Sequence, residues 1–350
     1  MTYGFGIIGV GMIAEMHAKA INELDSGKFV ACFDKNESRA KDFAALYGGT
    51  AYTNLDDFLA HDGLDIVTVC TPSGVHLEGA IAAANAGKHI IVEKPLEITV
   101  ERCDKLIEAA EANGVLLSGI FPSRFHSAVQ EMKKAIAAGR LGKIVLADAY
   151  VKWFRTQEYF DVSDWKGTWA MDGGGALMNQ SIHAIDLLQW FMGPVSQVFS
   201  FTDTLAHERI EVEDTAVAVL RFENGAIGVI EGTTSAYPGL LKKIEISGSK
   251  GSIVLEEEDI LVWKFVDEQP EDELIRKKYS RKTLTGGGAS DPKAIGFHGH
   301  QYQFANMIEA IENGTPLLVD GLEARKAVEI IQGIYRSSSS GSPVTFPLSY

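Results

Sequence analysis

Phe5-Gly6-Ile7-Ile8-Gly9-Val10-Gly11-Met12-Ile13-Ala14 opens the chain, and its reading decides the fold of the first third. An apolar run predicts a buried strand, and a glycine break followed by a helical pattern predicts a strand–turn–helix unit. Gly9 permits the tight turn. Gly11 lets the backbone approach a pyrophosphate, and Ala14 is small enough for helix to pack on strand. The pyrophosphate would rest on the peptide N–H groups of Met12 and Ile13, at the positive end of the helix. Asp34 closes the next predicted strand 23 residues beyond Gly11, near the spacing expected of an acid that binds a ribose 2′-hydroxyl. A carboxylate there repels a 2′-phosphate, so the expected cofactor is NAD rather than NADP. Lys35 and Arg39 leave some tolerance for NADP, with Arg39 better suited to packing on the adenine face. The alternative is an ordinary glycine turn beside a surface aspartate; strand, helix and acid in register argue against it.

Outward from this stretch, short β-branched runs alternate with helical patterns, the sign of a parallel sheet built from βαβ units. Strands are predicted at Gly4–Val10, Phe29–Asp34, Ile66–Cys70, His89–Glu93 and Val115–Ile120. Helices are predicted at Ile13–Leu24, Ser38–Tyr47, Val75–Ala86 and Val100–Asn113, several stopped by glycine. The first domain is expected to span 1–121, ending where Pro122 disfavours continuation. The remainder, 122–350, carries a helix (Ala128–Ala138), a strand (Ile144–Trp153) and a polar aromatic loop. A helix at Leu177–Phe191 follows, then strand-like runs from Val195 to Phe265 and two closing helices, His300–Asn313 and Leu322–Ser338. Asn224-Gly225 is a two-residue hairpin signal. Strands in succession without helices imply a mainly antiparallel sheet. The expected class is thus an α/β doubly wound domain followed by an α+β domain with a large open-faced sheet. Asp267–Phe297 reads as a long mobile loop, the cluster Arg276-Lys277-Lys278 as solvated, and the serines at 337–340 as a frayed helix end.

A formal net charge of −15 over 350 residues opposes binding to nucleic-acid phosphates or anionic lipid, which need a positive patch. No apolar run approaches the length of a bilayer span. Cys32, Cys70 and Cys103 are far apart and lack CxxC spacing, so neither a metal site nor a disulfide framework is expected. With Met1 leading directly into a strand, no signal peptide is read and the cytoplasm is the expected location.

Thr71-Pro72 and His76 follow a further predicted strand. Carboxyl ends of parallel strands line the ligand crevice, so His76 could reach a ribose hydroxyl or stand as a surface residue. His17, His61 and His89 read as structural or exposed. Glu93-Lys94-Pro95 ends another strand. The Lys94 ammonium could donate to a substrate oxygen and stabilise developing negative charge, or simply pair with Glu93. In Gly173-Gly174-Gly175-Ala176-Leu177-Met178-Asn179-Gln180-Ser181-Ile182-His183-Ala184-Ile185-Asp186, helical spacing puts Asn179, His183 and Asp186 on one face. Removing a hydride from an alcohol needs a base for the hydroxyl proton, and imidazole titrates near neutral pH. A lone histidine is otherwise commonly structural.

Taken together these residues resemble the glucose–fructose oxidoreductase, inositol dehydrogenase and rhizopine catabolism (Gfo/Idh/MocA) family over essentially the whole chain. Glu-Lys-Pro combined with the histidine helix is the specific part. The resemblance implies a dinucleotide-binding domain and a substrate domain whose open sheet mediates assembly into a homodimer or homotetramer. It implies hydride transfer between NAD and a secondary alcohol of a polyhydroxylated small molecule: a sugar, sugar acid, nucleotide sugar or cyclitol. Lys94 and His183 would carry proton transfer, with Asn179 orienting. Glu93 and the loop residues Trp165 and Lys166 would approach the cofactor. Lys152, Arg155, Tyr159 and His300 would contact substrate, with Arg124 and His126 unranked. Inositol dehydrogenases of the family have an aspartate where this chain has Asn179, which weakens an inositol assignment and favours sugars or nucleotide-sugar uronic acids. Two other readings share the fold: a glycosidase that retains its NAD, and a sensor without catalysis.

Overall fold

The structure, a computed structural model, describes residues 1–280 and 297–349. In chain order, β1 (Tyr3–Ile8), α1 (Met12–Asn22), β2 (Gly27–Phe33), α2 (Glu37–Tyr47), β3 (Thr50–Tyr52), α3 (Leu55–Leu59), β4 (Ile66–Val69), α4 (His76–Asn85), β5 (His89–Val92), α5 (Val100–Ala112) and β6 (Leu117–Gly119) come first. Then follow α6 (Ser127–Ala137), β7 (Ile144–Lys152), α7 (Gln157–Asp161), a π-helical turn (Ala176–Ser181) and α8 (Ile182–Met192). Strands β8 (Val195–Asp203), β9 (Thr215–Phe222), β10 (Ile227–Thr233), β11 (Lys243–Gly248), β12 (Gly251–Glu256) and β13 (Asp259–Phe265) lead to α9 (Pro270–Lys278). The chain closes with α10 (His298–Asn313), α11 (Gly321–Ser340) and β14 (Val344–Thr345).

The chain divides into two compact units: Met1–Pro122 with Gly296–Val328, and Ser123–Ile295 with Glu329–Tyr350. A single break at residue 121 therefore omits the return of 296–328 to the first unit. The cause is apolar: Phe304, Met307 and Ile308 of α10 join the core formed by Phe5, Ile7, Ala14, Ala18 and Ile21. Each such fully buried large side chain contributes about 1.5–3 kcal/mol, enough to recruit a distant helix.

In the first unit six parallel strands run in the order β3-β2-β1-β4-β5-β6, the doubly wound arrangement with its switch point between β1 and β4. Register pairs Ile8 with Val69 and Val69 with Val92. The segments leaving β1, β4 and β5, which carry Gly9, Thr71 and Lys94, therefore emerge side by side. β3 and α3 escaped the sequence reading because each is short and half-exposed, with little apolar periodicity to detect.

In the second unit eight strands run β13-β12-β11-β7-β10-β9-β8-β14, antiparallel except for β7 beside β10. The Asn224-Gly225 turn joins β9 to β10 as expected, with Gly225 at φ +86 and Asn224 Oδ1 accepting the Ala226 N–H at 2.9 Å. Ala147, Ala149 and Val151 of β7 face inward, and Gly232 of β10 meets Ser181 and Leu177 of the π turn. The opposite face stays open, with Val217, Val219, Ile227 and Phe201 exposed.

Three expectations need correction. Asp267–Phe297 is not a continuous loop: α9 occupies Pro270–Lys278. There Asp272 is pinned by Arg140 and by the Trp263 indole, and Arg276 pairs with Glu268; residues 281–296 lie outside the described residues. The terminal serines are not frayed, since Ser337 is fully buried and Ser338 Oγ accepts the Thr202 N–H at 2.9 Å. The helix expected at Leu177–Phe191 begins as a π turn over Ala176–Ser181, whose wider winding offsets Asn179 from the regular spacing to His183. Asp186, in the regular α8 with His183, takes the Arg124 guanidinium in two bonds of 2.9 and 2.7 Å, both side chains out of solvent.

Removing one member of this buried pair leaves an uncompensated charge. Asp186→Ala is expected to destabilise the protein by about 3–5 kcal/mol, whereas Arg124→Met with Asp186→Leu recovers most of the loss; urea unfolding midpoints check both.

Candidate active site

Gly9 has φ +86, and a Cβ there would stand 2.9 Å from the Thr71 methyl, so both conformation and space demand glycine. Gly11 differs. Its backbone is extended and an added Cβ would meet nothing within 4 Å. The fold leaves open room at this position, directly before α1, whose first turn no side chain caps. Open space in front of unclaimed peptide dipoles is what a pyrophosphate requires. Met12 is exposed and Ile13 half-buried at that turn, while Ala14 is buried against the sheet.

Asp34 stands beside the same turn. Its Oδ2 accepts the Val10 N–H at 3.2 Å and its Oδ1 the Asn36 N–H at 2.8 Å. The exposed Arg39 lies 3.4 Å away. The residues present thus fit NAD: an open glycine approach, an uncapped helix and an acid at the end of β2.

His76 is placed differently from expectation. It is buried, with Nδ1 2.9 Å from the Pro95 carbonyl and Nε2 3.0 Å from the Thr71 carbonyl. Both ring nitrogens face backbone, so His76 braces the Thr71-Pro72 loop against the loop after β5 instead of reaching outward. Thr71 and Pro72 themselves are half-buried at the end of β4.

Glu93 turns inward as well. Its Oε1 lies 2.8 Å from His17 Nε2 and 3.5 Å from His300 Nε2, and its Oε2 accepts the Lys94 N–H at 2.9 Å. Burial alone would raise this carboxyl, but the His17 and His300 bonds outweigh it and hold Glu93 well below the usual range. Burial lowers His17, whose Nδ1 meets the Thr68 hydroxyl at 2.7 Å. The sequence reading missed His17 as part of this cluster. Its signal was position: on α1 it shares the inward face of Ala14, Ala18 and Ile21. The three donor atoms lie within 4.8 Å of one another, a spacing a metal ion could use, yet the carboxylate is already engaged by His17 and Lys94. Lys94 itself is half-buried at the strand end.

In the second unit, Asn179 Nδ2 donates to Asp172 Oδ1 at 2.8 Å, and Asp172 Oδ2 accepts the Gly167 N–H at 2.9 Å. Asp172, a residue the sequence reading passed over, therefore ties the Trp165–Trp169 loop to the helix bearing His183. Its signal was an acid immediately before three glycines. Asn179 and His183 are both half-buried. Trp165 receives the Thr168 hydroxyl on its carbonyl at 2.7 Å.

Lys166 Nζ sits 3.7 Å from the Tyr159 ring centroid. The buried Arg155 lies 5.5 Å from the same ring and 5.2 Å from that of Trp153. Burial, with the Asp172 charge, pushes the Tyr159 phenol up to about 12, so it stays neutral, and its oxygen accepts from Gln180 Nε2 at 3.4 Å. Two cations thus share one aromatic platform. Lys152 does not join them. Strand alternation puts it on the open face of the sheet, opposite α8, where it pairs with Glu231 at 2.7 Å and lies over Tyr150. His300 is likewise spent on Glu93 rather than turned toward solvent.

Comparison with known proteins extends this geometry. Residues 3–121 match the model of the oxidoreductase family with an NAD-binding Rossmann fold, and residues 129–254 match the GFO/IDH/MocA C-terminal domain. The chain is 32% identical to myo-inositol 2-dehydrogenase of Thermotoga maritima, across 71% of this chain and 73% of that one. It is 28% identical to inositol 2-dehydrogenase of Rhizobium meliloti, across 96% and 97%. Its fold superposes on the WlbA dehydrogenase of Bordetella pertussis, solved with NADH and UDP-GlcNAcA, with a TM-score of 0.89, 34% identity and full coverage of both chains. Among the described residues no helix is long and apolar enough to cross a membrane. With both of its halves matched in order, the chain belongs to the GFO/IDH/MocA oxidoreductase family.

Proposed function

We propose that this protein is an NAD-dependent dehydrogenase that oxidises a secondary alcohol of an anionic sugar, a sugar acid either free or nucleotide-linked. The observation that carries the substrate class is the pair of cations, Lys166 and Arg155, on the Tyr159 platform. Aromatic faces suit the CH surfaces of a sugar, and a guanidinium beside an ammonium suits a carboxylate. Asn179 supports the same reading. An amide bonded to Asp172 brings no charge of its own to His183. The Bordetella pertussis relative, seen with UDP-GlcNAcA, is consistent with it.

Bound NAD supplies the hydride acceptor. The chain's own residues manage the proton and the charge: His183 takes the proton from the substrate hydroxyl, and the Lys94 ammonium donates to the same oxygen as negative charge grows there. Asn179, fixed through Nδ2, directs its acceptor oxygen. The alcohol carbon loses its hydride and the oxygen its proton, giving ketone, NADH and one proton.

We further propose a homo-oligomer formed through the open face of the second unit's sheet, and a cytoplasmic location. Phe199 pairs with Val219 and Phe201 with Val217 across β8 and β9, an apolar patch that a second copy would cover.

His183→Ala and Lys94→Met are each expected to lower turnover by about 10²–10⁴ while NAD binding persists. The substrate comes from an NAD-reduction screen over sugars, uronic acids, nucleotide sugars and inositols. Near-normal turnover in both variants would falsify the mechanism, and absence of net NADH release would favour the NAD-retaining glycosidase. For assembly, Phe201→Asp with Val219→Asp is expected to yield a smaller species by light scattering with NAD binding unchanged; an unaltered mass discards that interface.

A further inference from the structure

Three consecutive peptide N–H groups open the helix that carries Asn179 and His183, and all three end on one residue. Glu213 Oε2 accepts the Gly175 N–H at 2.9 Å, its Oε1 accepts the Leu177 N–H at 2.8 Å, and its backbone carbonyl accepts the Ala176 N–H at 3.0 Å. From α11, the Tyr335 hydroxyl donates to Oε1 at 3.0 Å. The carboxylate is withdrawn from solvent and occupies the positive end of the helix, where negative charge is favoured.

The glycines before this helix follow from the same contact. A Cβ on Gly175 would stand 1.8 Å from the Glu213 carbonyl oxygen, and one on Gly174 would stand 2.2 Å from the Tyr335 hydroxyl. Neither neighbour is a flexible side-chain end free to withdraw, so the glycines exist to let the clamp close. The helix start is then locked onto β10, where a Cβ on Gly232 would stand 2.6 Å from Ser181 Oγ. The first turn is π-helical, a rare geometry that concentrates at functional sites, and Glu213 holds the N–H groups that open it.

We propose that Glu213 is a positioning residue for catalysis: in its ionised form it fixes the opening turn of the helix, and with it the direction of Asn179 and His183. This rests on the reading of His183 as the base. The groups facing the carboxyl are the Gly175 and Leu177 N–H dipoles and the Tyr335 hydroxyl, on which Asp172 also acts by its charge. Burial pushes Glu213 up to about 7 against the pull of those donors. Protonation would place an O–H among groups that are themselves donors, so the clamp loosens as pH falls through neutrality. For folding the sign is opposite. A carboxyl whose folded value is raised contributes stability below its unfolded value, near 4.5, and loses it as pH rises toward 7. The ionised clamp is thus kept for function at a cost to the fold.

The test uses the full-length enzyme with its screened substrate. Glu213→Gln keeps the shape and removes the charge. It is expected to lower kcat by about 10–100-fold, the scale of a small misplacement of a reacting group, with little change in the Kd for NAD. The acid side of its kcat–pH profile should lose one ionisation and become shallower. Tyr335→Phe removes one donor, so the Glu213 ionisation should move to higher pH with the helix otherwise intact; it keeps the question open to test if the Gln variant does not fold. Unchanged acid limbs in both variants, with only a lower Tm, overturn the proposal and leave Glu213 a structural residue. Failure of His183→Ala to slow turnover instead overturns the base assignment, which separates the two claims.

Discussion

Burying a carboxylate costs several kcal/mol unless donors surround it, and each unit of this protein places one such group directly behind a site residue. In the first unit Glu93 is held by His17 and by the Lys94 N–H, with His300 close by. In the second, Glu213 is held by the Gly175 and Leu177 N–H groups and Tyr335. Neither points at open space. Each converts electrostatic demand into geometry: an anion that must keep its donors forces the peptide carrying those donors into one place. Lys94 and the opening turn of the His183 helix are the two peptides so constrained.

The sheets were legible because their physics is local. Continuous apolar runs such as Phe5–Ile8 and Ile66–Val69 become strands buried on both faces, and alternation in Thr215–Phe222 becomes a strand with one open face. The glycine turn and Asp34 were legible for the same reason, since turn, helix start and acid are fixed by the register of neighbouring strands. What escaped the sequence was long-range. His17 and Glu93 are 76 residues apart, and nothing near either announces the other. Lys152 was misplaced because a basic residue near an aromatic loop says nothing about which face of the strand it occupies. The polar stripe Asn179, His183 and Asp186 was altered at both ends: a π turn shifts the spacing ahead of His183, and a buried guanidinium claims Asp186.

Asp172 shows the gap in a smaller form. Read alone it is an acid in a polar loop. In the fold its two oxygens join the Gly167 N–H to the Asn179 amide, so the loop that carries Lys166 cannot shift without pulling on the residue beside His183. The loop that carries Lys166 and the turn that carries Asn179 are thus coupled through one carboxylate. That coupling gives a physical reason for asparagine at position 179. An aspartate there would face Asp172 across a hydrogen-bond distance, and two like charges so close would force one to take a proton.

The charge of the whole protein makes local placement decisive. At −15 its long-range field repels a dinucleotide and a sugar acid alike, and salt damps this field beyond about 8–10 Å. Attraction must then come from groups within contact range: the uncapped start of α1, the Lys94 ammonium, and the Lys166 and Arg155 cations stacked around Tyr159. Stacking holds both cations against the Tyr159 ring, where contacts at short range count for more than the screened long-range field. For a strongly acidic protein, attraction of an anion is a short-range property, held in a few side chains.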